Sequence, residues 1–293
     1  MTGKIIKGIA GFYYVHTEGG NVYECKAKGI FRNQKIKPLV GDDVKIEILD
    51  DEKKLANIVD LLPRKSQLIR PAVANVDQAV IVFAAKNPEP NRNLLNRFLI
   101  LMTKQEIPVM IVFNKTDLIT EQEKEELKDG WRNAGYEIRF LSAKRQEGIA
   151  ELSELLKKKT TVLAGPSGVG KSTLVNQLQP NVVMETGGIS EKIKRGKHTT
   201  RHSEFIWLDD ETFILDTPGF SSLSLEEMEA DELKRYFPEF EKYEEFCRFR
   251  GCVHENEPDC AVKEAVAAGE ISKSRYEDYL LLYKELKAVK KYK

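Results

Sequence analysis

The chain has no surplus charge of either sign: its 293 residues carry 46 Lys and Arg against 46 Asp and Glu. Any nucleic-acid binding must therefore come from local patches rather than from a global field. It has no apolar run of the ~18 residues that span a bilayer, which argues against a membrane partner. Met1 to Phe12 alternates Lys, Ile and Gly and lacks the apolar core of a secretory leader. Cysteine is scarce. There are four, and three of them crowd residues 247–260. That clustering suits a metal site in a reducing compartment better than disulfides, so the expected location is cytoplasmic. No internal repeat and no low-complexity linker is visible. Apolar residues make up 41% of the chain, enough for a real core, and the length allows two or three domains.

Three segments emerge. Residues 1–68 read as all-β, with short runs at Gly11–Val15, Asn21–Cys25, Asp43–Ile48 and Asn57–Leu61 separated by Gly19-Gly20, Pro38 and Gly41-Asp42. A small barrel is the economical solution, because closure removes exposed sheet edges. Lys26, Lys28, Arg32, Lys35 and Lys37 lie around Phe31 and mark either a solvated face or an RNA-binding one. Residues 69–221 alternate strands (Gln78–Ala85, Val109–Phe113, Tyr136–Leu141, Thr160–Ala164) with helices (Asn91–Lys104, Glu121–Asn133, Ile149–Lys157, Lys171–Leu178). Two further runs, Glu204–Leu208 and Thr212–Leu215, close the segment. This alternation predicts a doubly wound, mostly parallel sheet that binds its ligand at the C-terminal ends of its strands. Residues 222–293 are mostly helical by pattern, with Met228–Tyr236 and Ser272–Lys291 as helices.

Two nucleotide motifs sit in the reverse of their usual order. Gly165-Pro166-Ser167-Gly168-Val169-Gly170-Lys171-Ser172, followed by Thr173, fits the phosphate-loop pattern G-x-x-x-x-G-K-[ST]. Its glycines let successive N–H groups turn toward a phosphate at a helix N-terminus. Lys171 would reach the β- and γ-phosphates and Ser172 would ligate Mg²⁺. Some fifty residues earlier stands Asn114-Lys115-Thr116-Asp117, an N-K-x-D motif. A carboxylate at Asp117 can accept from both N1–H and N2–H₂ of guanine, donors that adenine does not pair in this way. Asn114 would tie this loop to the phosphate loop, and the Lys115 stem would cover the base. Ser142-Ala143-Lys144, after the next strand, would offer a backbone N–H to guanine O6.

Asp216-Thr217-Pro218-Gly219 follows an apolar strand; Asp216 would hold Mg²⁺ through a water and the Gly219 N–H would sense the γ-phosphate. Residues 187–201 carry five Lys and Arg against one acid and little apolar pattern, as a switch loop would. Thr199 or Thr200, with Thr200 nearer the next strand, would close on Mg²⁺ and the γ-phosphate. Phe220 occupies the place where a Ras-like GTPase has its water-orienting glutamine. His198 is a candidate for the missing polar group; a partner is the other source.

Cys247, Cys252, His254 and Cys260 offer three thiolates and an imidazole within fourteen residues, a donor set for one closed, structural Zn²⁺. The neighbouring Glu255 and Asp259 read as surface charges, and Cys25 as a barrel-core residue. The last helix carries seven Lys and Arg against three acids over 272–293, a solvated face or an rRNA contact.

The order N-K-x-D, S-A-K, G-x-x-x-x-G-K-S, T-T, D-T-P-G resembles that of the circularly permuted GTPases. With a barrel before it and a Cys/His cluster after it, the whole chain resembles the RsgA (YjeQ, YloQ) family. The resemblance implies a multidomain α/β protein with an N-terminal OB-type β-barrel, a circularly permuted P-loop GTPase domain and a C-terminal helical zinc-binding domain. It implies GTP hydrolysis to GDP and phosphate by a monomer acting late in maturation of the 30S ribosomal subunit and touching its rRNA. The particle would stimulate hydrolysis, which would be coupled to release. The alternatives are an RNA-binding GTP/GDP sensor scaffold with incidental turnover, which Phe220 favours, and a P-loop kinase, which Asp117 and the D-T-P-G loop argue against.

Overall fold

A computed structural model describes the chain except residues 29–30, 32–36, 70, 132, 180–203, 217–224, 226–227 and 290–293. Five strands, β1 (Thr2–Ile9), β2 (Phe12–Thr17), β3 (Asn21–Ala27), β4 (Asp43–Asp50) and β5 (Leu55–Leu61), close into a barrel of order β1-β2-β3-β5-β4. Only β3 and β5 pair in parallel; the other neighbours are antiparallel. This is the partly mixed strand order of an OB-type barrel. Its core is Ile5, Val15, Tyr23, Cys25, Phe31, Val44, Ile46, Ala56 and Ile58. β1 is absent from the strands read off the sequence, and the reason is local. The pairing of β1 with β2 shifts register between Ile5 and Lys7, so Ile5 and Ile6 are both buried and the two-residue alternation is broken. Two short strands, β6 (Gln67–Leu68) and β7 (Val73–Ala74), pair after the barrel. Asp42, 1% exposed, accepts a two-pronged contact from Arg64, at 2.6 and 2.8 Å, which pins the exit from β5.

The middle of the chain forms one six-stranded sheet from β8 (Gln78–Ala84), β9 (Val109–Asn114), β10 (Glu137–Phe140), β11 (Thr160–Ala164), β12 (Phe205–Trp207) and β13 (Phe213–Asp216), in the order β10-β9-β8-β11-β13-β12. β9 with β10 and β11 with β13 run parallel, whereas β12 is antiparallel to β13. β8 and β11 are buried along their whole length, as their unbroken apolar and Thr-rich runs require of strands covered on both faces. The helices are α1 (Arg92–Lys104), α2 (Glu121–Asp129), α3 (Ile149–Leu156) and α4 (Lys171–Leu178). Asn91 caps α1, and Thr120 with Glu123 makes a reciprocal capping box on α2. α2 ends four residues earlier than the charge pattern suggests. Gly130 caps it, and a turn carrying Asn133 and Gly135 at positive φ follows.

In the C-terminal region a 3₁₀ segment, Ala230–Tyr236, stands where an α-helix over Met228–Tyr236 was expected. Pro238 follows almost at once and marks its C-terminal limit. A second 3₁₀ turn (Pro238–Phe240) and helices α5 (Glu241–Glu244), α6 (Ala261–Ala267) and α7 (Lys273–Val289) complete it. Leu233, Phe237, Phe240, Val262, Tyr279 and Tyr283 share one core with Ile100 of α1. Arg275 sits at the edge of that core, 2% exposed, with its guanidinium 4.3 Å from the Phe237 ring. It donates to both carboxylate oxygens of Glu239 and to Asn96 of α1, and Asn96 in turn donates to Asp278. The buried charge is thus fully paired, as burial demands.

Two compact units account for the packing. The first comprises residues 1–79, 149–164 and 171–218; it holds the barrel, β11 to β13, α3 and α4. The second comprises residues 80–148, 165–170 and 219–293; it holds most of β8, all of β9 and β10, α1, α2, the phosphate-loop glycines and the C-terminal helices.

Candidate functional site

Within the second unit, three loops meet at the C-terminal ends of strands, and Asn114 joins them. Asn114 is the last residue of β9 and is 2% exposed. Its Nδ2 donates to the Val169 carbonyl in the phosphate loop at 2.9 Å. Its Oδ1 accepts from the Lys115 N–H at 2.8 Å and from the Ala143 N–H at 3.0 Å. One side chain therefore fixes its own loop, the Ser142-Ala143-Lys144 loop and the phosphate loop. The expected tie between the two motifs is present, and the contact to Ala143 is additional.

Gly170 makes that tie possible. A Cβ there would lie 2.5 Å from Asn114 Nδ2, and its φ of +93° is in the left-handed region. Gly165 is constrained from the other side: a Cβ would come within 2.1 Å of the Val82 carbonyl oxygen on β8. Val169 is fully buried and anchors the loop from beneath. The loop leads straight into α4, which begins at Lys171 and buries Leu174, Val175 and Leu178. Lys171 is half-buried, and Ser172 and Thr173 are exposed in the first turn.

Lys115 adopts a left-handed conformation, φ +64°, and its Nζ donates to the carbonyls of Gly168, at 2.7 Å, and Asn87. The role of Asn87 leaves no motif-level signal in the sequence. Thr116 and Asp117 open a 3₁₀ turn. The Ser142 hydroxyl donates to Asp117 Oδ1 at 2.7 Å, which is the main reason the Asp117 pKa lies below the usual carboxylate value. Asp117 is therefore ionised and acceptor-only at neutral pH, the state a guanine edge requires.

In the first unit, β13 ends at Asp216, whose backbone is in register with Leu163 of β11. Its side chain, with Gly219, Phe220, Thr199, Thr200 and His198, lies outside the described residues, as do Arg32 and Lys35 of the basic stretch. Of that stretch, Lys28 pairs with Glu47 at 2.5 Å, Lys26 stands over the Phe12 ring, and Phe31 is in the barrel core.

The RsgA GTPase family model matches residues 61–226, and the RsgA N-terminal domain model matches residues 2–55. The chain belongs to the RsgA GTPase family. A curated RsgA relative, the small ribosomal subunit biogenesis GTPase of Agathobacter rectalis, is 58% identical over the whole of both chains. The protein of the same name from Alkaliphilus metalliredigens is 49% identical over 99% of each. Among solved structures, YloQ, described as a circularly permuted GTPase, is 39% identical with a TM-score of 0.78, over 98% of this chain and 95% of that one. YjeQ from Thermotoga maritima is 38% identical with a TM-score of 0.81, over 97% and 98%. The chain is accordingly a GTPase with permuted motifs behind an OB-type barrel.

The second cluster fits zinc. The ligand atoms of Cys247, Cys252, His254 and Cys260 lie within 4.8 Å of one another. Cys247 Sγ and Cys252 Sγ are 3.9 and 3.8 Å from Cys260 Sγ. A tetrahedral ion with Zn–S bonds of about 2.3 Å places thiolates about 3.8 Å apart. His254 turns Nδ1 inward, 3.3 Å from Cys260 Sγ and 3.7 Å from Cys247 Sγ. Its Nε2 faces Glu244 Oε1 at 3.3 Å, and the other oxygen of Glu244 accepts from Lys234 at 3.1 Å. Glu244 is thus placed to fix the tautomer that frees Nδ1 for the metal. Burial pushes the Cys252 thiol up to about 12, so metal entry would displace protons. The neighbouring Glu255 and Asp259 pair with Lys287 and Arg248. Among the described residues, no helix is long and apolar enough to cross a membrane.

Proposed function

We propose that this GTPase acts on the small ribosomal subunit, the 30S particle, late in its maturation, as a cytoplasmic monomer. The curated relatives' names support this reading, and the Asn114 junction, which holds the three guanine-nucleotide loops together, carries its enzymatic half. We divide the work among residues 1–68, 69–221 and 222–293, a barrel, a permuted G domain and a zinc-binding region. Separate family models match residues 2–55 and 61–226, which supports a barrel distinct from the G domain.

In this reading Asp117 accepts from guanine N1–H and N2–H₂, while the Lys115 stem lies over the base. The Ala143 N–H already serves Asn114, so the contact from that loop to guanine O6 falls to the N–H of Lys144. The N–H groups of residues 165–170 and the start of α4 receive the phosphates, and Lys171 neutralises β- and γ-oxygens. Mg²⁺ arrives with the nucleotide; Ser172 and Thr200 would hold it, with Asp216 acting through a water. Zn²⁺ on Cys247, Cys252, His254 and Cys260 supplies fold rather than chemistry, since four protein ligands leave no open position. Thr199, Gly219 and His198 complete the expected γ-phosphate end, with particle rRNA contacting the barrel and the basic last helix.

The test is GTP turnover by the full chain with and without purified 30S and 50S subunits. Stimulation by 30S alone supports the proposal. Equal stimulation by both subunits, or by neither, contradicts it.

A further inference from the structure

The first unit contains a contact that neither the motifs nor GTP chemistry accounts for. The β12–β13 hairpin lies against the edge of the barrel and is attached at three points along its length. At its open end, Glu204 bridges to Lys7 of β1, with the side chains paired at 2.8 Å. In its middle, the buried ring of His16 from β2 packs on Trp207 and Phe213 at centroid distances of 5.2 and 5.5 Å. At its tip, the Asp210 carboxylate accepts from the Gly19 N–H at 2.9 Å and the Gly20 N–H at 3.0 Å, one oxygen to each. Gly19 and Gly20 have φ of +79° and +74°, so two successive N–H groups converge on one anion in a conformation that L side chains resist. A turn built in this way grips a carboxylate in one orientation.

The hairpin's position along the chain gives the contact its meaning. Glu204 stands four residues after Thr200, and Phe213 three before Asp216. A short, paired β-ribbon is stiff, so displacement at either end is carried to its tip.

We propose that Asp210 latches the barrel onto this hairpin and is a positioning residue, relaying engagement of the barrel to the strand that ends at Asp216. The relay to the particle rests on the reading under Proposed function; the latch does not. In Asp210→Asn one of the two acceptor oxygens becomes a donor facing an N–H. In Asp210→Ala both acceptors are lost. Glu211→Gln is the control, because Glu211 pairs with Lys158 rather than with the barrel.

The experiment has two arms on the full-length protein. In the first, amide exchange is followed with GDP and with a non-hydrolysable GTP analogue. In the wild type, the Gly19 and Gly20 amides should exchange at rates that differ at least threefold between the two nucleotides. In D210A that difference should vanish, with exchange at both amides at least tenfold faster and β2–β3 protection retained. In the second arm, D210N should keep basal kcat and the KM for GTP within twofold, yet lose at least fivefold of the 30S-stimulated kcat; E211Q should match wild type throughout. Failure of 30S to stimulate the wild type would refute the ribosomal reading and leave the latch to the exchange arm. Nucleotide-independent exchange at Gly19 and Gly20 in the wild type overturns the relay. So does full 30S stimulation of D210N.

Discussion

Replacing Asn114 by Ala should disable nucleotide binding while leaving the sheet folded. The side chain makes three hydrogen bonds, to the Val169 carbonyl and from the N–H groups of Lys115 and Ala143. At about 1 kcal/mol net each, their loss alone costs about 3 kcal/mol. The site is 2% exposed, so abandoned partners are poorly compensated by water, which adds ~1–2 kcal/mol. The total of about 4–5 kcal/mol is divided between global stability and the local order of the three loops. If half of it appears as the cost of ordering the loops around a ligand, GDP affinity falls by about 30- to 60-fold. The assay is titration of fluorescent GDP into both proteins, beside urea unfolding monitored by circular dichroism. A variant that loses stability but binds GDP as wild type does would show that Asn114 merely fills space.

Other perturbations reach separate parts of the molecule. Glu244→Gln should weaken the hydrogen bond that sets the His254 tautomer and accelerate Zn²⁺ release to a chromogenic chelator by roughly tenfold, with little change in GDP affinity; an unchanged release rate would contradict that placement. Arg275→Met strands Glu239 beside the core that α7 shares with α1, and unfolding should report a loss of roughly 3–5 kcal/mol. A loss below 1 kcal/mol would mean the network is dispensable. Burial holds the pKa of His16 below 6.5, with Asp210 and Asp209 pulling it the other way and Lys4 beside it across β1. The docked ring therefore favours the neutral form. Barrel docking should be fully stable above about pH 6.5 and weaken as pH falls through the depressed value. Amide exchange over residues 16–20 at pH 7.5 and 5.5, corrected for intrinsic rates, should show that loss of protection.

The site was legible where chemistry restricts the residue choice. Gly165 and Gly170 stand where a Cβ would strike the Val82 carbonyl or Asn114, so the phosphate loop announces itself in any order of motifs. The all-buried β8 and β11 were legible for a related reason, since only unbroken apolar or Thr runs tolerate burial on both faces. β1 was hidden because its register shift buries two successive isoleucines and erases the alternation. α6 was hidden beside the cysteines, being only seven residues long. The gathering of Cys247, Cys252 and Cys260 with His254 could be read from residue type and spacing. Which histidine nitrogen faces them could not, because that depends on Glu244, ten residues away. Nor did any pattern reveal that the C-terminal helices share a core with α1. That depends on Ile100, Asn96 and Arg275 meeting across some 180 residues of chain.

The central claim is that the reordered loops form one guanine-reading pocket with Asp117 at the base. Its most direct test is the affinity of Asp117→Asn for GDP and for xanthosine diphosphate, measured beside wild type. The amide can still accept one bond but offers a donor where guanine N2–H₂ also donates, whereas xanthine presents a carbonyl there. The account predicts that GDP binding falls by about two orders of magnitude, two hydrogen bonds to a charged acceptor being worth ~3 kcal/mol or more, and that preference moves to xanthosine diphosphate. Undiminished GDP binding with no gain for the xanthine nucleotide would contradict it.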